Sequence, residues 1–75
     1  MDSQDIVLIK IGLRLQKLRV EKGFTSYEHF AIEHELSRMH YWQIEKGKIN
    51  LTIKTLLKYL EIHEISIETF FNIEI

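Results

Sequence analysis

Residues 36–50 read LSRMHYWQIEKGKIN, with Met39, His40, Tyr41 and Trp42 side by side and then a glycine set between lysines. Four adjacent side chains on a helix cannot share one face, because each residue turns the chain by about 100°. Laid out at that spacing, Ser37, Tyr41 and Ile44 fall on one side. Arg38, Met39, Trp42 and Gln43 fall on the other, with His40 and Glu45 at the borders. Leu36 and Ile44 need an apolar neighbour, which makes the Tyr41 side the inner one. A short helix is therefore expected over about 38–46, opened by Ser37 and closed by Gly47, and it shows Arg38, Met39, Trp42 and Gln43 to the outside.

The surrounding chain also reads as helical. It has 75 residues, no proline, no cysteine and only three glycines, at 12, 23 and 47. This implies an all-α protein with short turns, no disulfide framework and no thiolate metal site. Leu8, Ile11, Leu15 and Leu18 mark the inner stripe of a first helix over about 5–22, stopped by Gly23. Thr25-Ser26-Tyr27-Glu28 has the Thr-x-x-Glu form of a capping box and predicts a second helix from about Ser26 to His34. Thr52 is expected to cap a fourth helix with Leu56, Leu57 and Leu60 inward, and Ser66 a short fifth helix containing Phe70. His34-Glu35-Leu36-Ser37 and His63-Glu64-Ile65-Ser66 echo one another, each reading as a helix-to-helix turn whose aliphatic residue plugs the core. The tail Phe71-Asn72-Ile73-Glu74-Ile75 alternates apolar and polar residues, the period of an extended segment. It would dock on its own core or cross to a second subunit.

Net charge is −1, but its distribution is uneven. Residues 10–22 carry five basic side chains against Glu21, and residues 37–58 carry five against Glu45. Acids gather at Glu28, Glu33 and Glu35 and again at Glu61, Glu64, Glu68 and Glu74, so a neutral chain can still present one basic face. The start of the chain has neither the charge pattern of a signal peptide nor the length of a membrane span, and the expected location is the cytoplasm.

Enzyme chemistry finds no constellation. His34-Glu35 is followed by His40, two positions beyond the His-Glu-x-x-His spacing, and a turn intervenes. His29 and Glu33 stand one helical turn apart beside His34, but a structural metal site ordinarily needs four ligands. No phosphate-binding glycine loop occurs, and no metal or cofactor is expected.

From Leu15 to Phe71 the chain resembles the Cro/repressor-type helix-turn-helix family, the xenobiotic-response-element-like regulators. The resemblance rests on Leu15-x-x-Leu18-Arg19 with Gly23 four residues on, Phe30-Ala31, Ser37, Ile44-Glu45-Lys46-Gly47, Leu56-Leu57 and Ile65-Ser66 with a late Phe70. It implies a five-helix, lambda-repressor-like DNA-binding domain over residues 1–75, with the helix-turn-helix at about 26–46. It further implies an ion pair between Arg19 and Glu45, base contacts from Arg38, Met39 and Gln43 with Trp42 beside them, and backbone contacts from Ser26, Tyr27, Ser37, Lys46, Lys48 and Asn50. The implied partner is double-stranded DNA, bound by a homodimer joined through helix 5 and the tail, or else through residues 6–9. The sequence departs from the family pattern in three places. Tyr27 stands where glutamine is usual, one extra residue separates Gly23 from Ala31, and Glu35 occupies a turn position often held by glycine. The competing reading is a protein-binding helix-turn-helix module, such as an antitoxin, that uses Trp42, Met39 or the apolar tail.

Overall fold

The computed structural model describes residues 2–72, and these form five α-helices: α1 (Ser3–Glu21), α2 (Tyr27–Glu33), α3 (Arg38–Glu45), α4 (Ile53–Ile62) and α5 (Ile67–Asn72). Each begins at a residue whose side chain takes a free backbone amide. Asp2 accepts from the Asp5 amide at 2.9 Å, Thr52 from Thr55 at 3.1 Å and Ser66 from Thr69 at 3.1 Å. The Asp2 cap starts α1 at Ser3, two residues before the expected start at about residue 5.

The second helix corrects the capping box. Its cap is Ser26, whose hydroxyl accepts from the His29 amide at 3.2 Å, and Thr25 lies outside the helix. The reason is upstream. Phe24 donates its amide to the Arg19 carbonyl and packs edge-on against Phe30, with ring centroids 5.3 Å apart, so the chain leaves α1 on a fixed path. One residue more than the family spacing is then needed before a hydroxyl reaches the helix start. That places His29 rather than Glu28 third in the helix, so the carboxylate that would accept from the cap residue's own amide in a capping box is missing.

All of the first four helices end the same way. After α1, Gly23 donates to the Val20 carbonyl and Phe24 to Arg19; after α3, Gly47 donates to Ile44 and Lys48 to Gln43. The two His-Glu-aliphatic-Ser echoes make the same pair of bonds: Glu35 to Ile32 and Leu36 to Ala31, then Glu64 to Glu61 and Ile65 to Leu60. This double closure requires a left-handed residue just past the helix. Gly23 and Gly47 supply it with φ of 105° and 68°, whereas Glu35 and Glu64 adopt φ of 57° and 55° despite carrying a Cβ. Both glutamates are exposed, and the residues after them, Leu36 and Ile65, turn back toward the core.

The core centres on Phe30, fully buried, with Tyr41 5.2 Å away, His34 4.6 Å away and the His63 ring stacked on it at 5.4 Å. Leu15, Ala31, Leu36, Ile44, Leu56, Tyr59, Leu60 and Phe70 complete it. Burial, with Lys22 and His34 nearby, pushes His63 down to about 4, so at neutral pH its imidazole is an uncharged member of this packing. Two expectations change, one on burial and one on conformation. Leu57 is 47% exposed and Tyr59 takes the inner place, because α4 turns its Leu56–Tyr59–Leu60 face to the core. Phe71 and Asn72 continue α5 and are not extended, since the Ser66 cap and the Phe70-to-Ser66 backbone bond carry the helix through them. The remainder of the expected extended tail, residues 73–75, lies outside the described residues.

A left-handed residue with a Cβ costs about 1 kcal/mol or more, part of which glycine would return as unfolded-chain entropy. Glu64→Gly is accordingly expected to stabilise the protein by about 0.5–1 kcal/mol, raising the melting temperature by roughly 2–8 °C. A melt unchanged or lowered in Glu64→Gly contradicts this account of the turn.

Candidate nucleic-acid interface

The position of α3 follows from what its inner side must satisfy. Tyr41 is fully buried against Phe30 and against Tyr59, whose ring lies 5.3 Å away edge-on, and Ile44 is 2% exposed. Burial, followed by the nearby Glu45 carboxylate, raises the ionisation of the Tyr41 hydroxyl well above its ordinary range, so Tyr41 remains neutral. At the end of the helix, Glu45 is 4% exposed and Arg19 is 5% exposed. The two meet as a bidentate pair, Arg19 Nε to Glu45 Oε2 at 2.8 Å and Nη2 to Oε1 at 3.2 Å. The third guanidinium donor, Nη1, reaches the Phe24 carbonyl at 2.8 Å. Burial alone would ease the proton off Arg19. The hydrogen bond and charge of Glu45 outweigh it, and the net effect is a raised pKa. One side chain of α1 thus holds both the end of α3 and the turn that leads to α2.

With the inner side fixed, the outer one is determined. Arg38 and Met39 are exposed, Met39 to 65%, and Trp42 and Gln43 are half-buried. These four occupy an arc of about 140° at helical spacing. His40 is exposed next to Met39, although the helical wheel left it at a border. Trp42 belongs to neither extreme: half of it rests on the protein, and the Lys48 ammonium sits 5.5 Å from its ring centroid. A cation over an aromatic face is attracted to it. The contact folds the loop after α3 back toward the outer arc.

The other residues implied as backbone contacts divide into helix starts and loop. Ser26 and Ser37 are exposed caps of α2 and α3; Ser37 accepts from the His40 amide at 3.4 Å, and Tyr27, half-buried, is the first residue of α2. Helix starts present free amides to an anion. Lys46, Lys48 and Asn50 are exposed in sequence just after α3. The fold therefore gathers Arg38, Met39, Gln43, Trp42, Lys46 and Lys48 on one short helix and its exit loop, while Ser26 and Tyr27 sit on the preceding helix. Among the described residues no group of three or more histidines or acids is placed to hold a metal, and His29, Glu33 and His34 do not converge on one. No helix among them is long and apolar enough to cross a membrane.

The chain is 42% identical over 52 residues to the control protein C.MunI of Mycoplasma sp., a match covering 69% of this chain and 70% of the relative. It belongs to the controller-protein family. Its backbone is also similar to the crystal structure of the restriction-modification controller protein C.AhdI from Aeromonas hydrophila. The TM-score is 0.75 at 32% identity, over 88% of this chain and 98% of that one. No family model matches the chain. The controller proteins are helix-turn-helix regulators of the Cro/repressor type that bind DNA in a sequence-specific way to regulate transcription, and they are not enzymes.

Breaking a buried pair strands the remaining charge, at a cost of roughly 3–5 kcal/mol. In this controller protein Glu45→Ala and Arg19→Ala are each expected to lower stability by about that much. Urea melts with Glu45→Ala within error of the natural protein would refute it.

Proposed function

We propose that this controller protein binds a pseudo-palindromic operator as a homodimer, in the cytoplasm, with α3 in the major groove. Arg38 then makes a bidentate contact with guanine, Gln43 pairs with adenine, Met39 meets a thymine methyl and Trp42 flanks the groove edge. Ser26, Tyr27, Ser37, Lys46, Lys48 and Asn50 hold the phosphate backbone and set register without reading sequence. The observation that carries this reading is the division of α3. Its inner face is locked by Tyr41, Ile44 and the Arg19–Glu45 pair, and its outer face offers hydrogen-bonding and apolar groups beside lysines. The similarity to C.AhdI, named as a restriction-modification controller, supports control of such a gene set as its role.

One recognition helix reads only a few base pairs, and a two-fold dimer spaces its half-sites by about 34 Å. For the dimer contact the proposal favours α4 and α5, which pack on one another and leave Leu57 47% and Phe71 54% exposed. Ile6 and Val7, at 42% and 51%, form the second candidate surface. Leu57→Glu with Phe71→Glu is expected to halve the mass seen by light scattering while leaving the helical circular dichroism intact. A dimer that survives both changes moves the interface to α1 or elsewhere.

Base reading is tested by selecting bound sequences from a random duplex pool with the natural protein, Arg38→Ala and Gln43→Ala. Each substitution should relax preference at its own position by about 1–3 kcal/mol and leave the others. With four lysine–phosphate contacts per dimer, affinity should also fall on the order of 100-fold between 50 and 200 mM salt. Preferences unchanged in both variants would dispose of the base-reading assignment. No enriched sequence together with a flat salt response would favour the protein-binding module, with exposed Met39 and half-buried Trp42 as its contact.

A further inference from the structure

We infer that Gly12 is a positioning residue for DNA reading: it lets the backbone of α1 lie directly on the last carbonyls of α3 and so sets the angle at which Gln43 is presented. The inference rests on the base-reading assignment above and adds a residue remote from the outer arc. Gly12 is buried in the middle of α1. A Cβ there would collide with the Glu45 carbonyl oxygen, and would meet the Ile44 carbonyl oxygen at 2.6 Å and the Glu45 carbonyl carbon at 2.7 Å. All three are backbone atoms, so no side-chain rotation relieves the overlap.

The approach is matched one turn earlier on α1. A Cβ at Gly47, whose φ is already 68°, would meet the Cα of Ile9 at 2.8 Å and its backbone nitrogen at 2.9 Å. Ile9 and Gly12 thus form a seat on α1 for residues 44–47, and the Arg19–Glu45 pair clamps the same end from farther along α1. The other end of α3 is held by different atoms, the Leu36 amide on the Ala31 carbonyl at 2.7 Å and Leu36 in the core.

A helix anchored at two ends by separate contacts tilts when one of them is displaced. Room for a methyl group at position 12 requires the end of α3 to move by roughly 1 Å or more before ordinary contact distance is regained. Arg38 lies next to the anchored start and moves little. Gln43, five residues on and about 7.5 Å farther along the axis, takes most of the shift. Recognition groups must hold their geometry to within about 0.5 Å. The tilt therefore removes discrimination at the base read by Gln43 and spares the one read by Arg38, a polarity that general destabilisation cannot produce.

The test is the duplex-pool selection with Gly12→Ala, made in the natural chain and in the Glu64→Gly background to offset lost stability, beside Gln43→Ala and the core variant Leu60→Ala. For Gly12→Ala we expect a folded circular dichroism spectrum and discrimination at the Gln43 base reduced about 10-fold or more. Preference at the Arg38 base and affinity for unrelated DNA should stay within about twofold, and Leu60→Ala should keep the natural profile at a temperature where it is folded. The inference is overturned by a natural profile in Gly12→Ala, by an even loss at all positions, or by failure to fold in both backgrounds. If Gln43→Ala itself leaves the profile unchanged, the base-reading assignment fails and takes this inference with it. If Gln43→Ala shifts the profile and Gly12→Ala does not, only the role of Gly12 falls.

Discussion

The Arg19 guanidinium joins three parts of the molecule: α1 on which it stands, the Phe24 carbonyl in the turn after it, and the Glu45 carboxylate at the end of α3. Two charges removed from water are tolerable only when their geometry satisfies both, and this requirement leaves α3 little freedom to rotate or slide. With Glu45 turned inward, Tyr41 and Ile44 must go inward with it. The opposite arc, Arg38 to Gln43, is then committed to solvent or to a partner. The exposure of that arc is thus a by-product of a constraint satisfied in the interior.

The turns supply the rest of the order. Four successive helices close with the same pair of backbone bonds, and in two of them a glutamate is held in the left-handed region. The strain is small beside what the turn secures, since it delivers Leu36 and Ile65 back to the core and places Ser37 and Ser66 to start the next helix. His34 and His63, the last residues before these turns, both pack against Phe30. The repeated four-residue phrase in the sequence is thus one structural device used twice around a single ring.

What the linear chain conveyed best was local. Hydroxyl caps at Ser37, Thr52 and Ser66, glycine stops at 23 and 47 and the two faces of α3 depend on interactions spanning a few residues, and they are legible because backbone bonding has a fixed reach. Where the reading failed, a distant contact had altered the local one. Thr25 lost the cap to Ser26 because Phe24 was fixed by Arg19 and Phe30. Leu57 turned outward because Tyr59 was drawn in beside Tyr41. Gly12 could be seen only as a glycine in a helix; that it touches the carbonyls of α3 depends on how two helices cross.

The sequence by itself determined the all-helical class, the helix-turn-helix spacing and which side chains of α3 oppose one another, since helical periodicity and capping act between residues no more than about five apart. Only the tertiary structure decided how deeply the inner side is buried, where Trp42 rests between protein and solvent, and how close α1 comes to the end of α3. Those outcomes depend on contacts between residues far apart in the chain, such as Arg19 with Glu45 and Gly12 with Ile44, and no local preference encodes such distances.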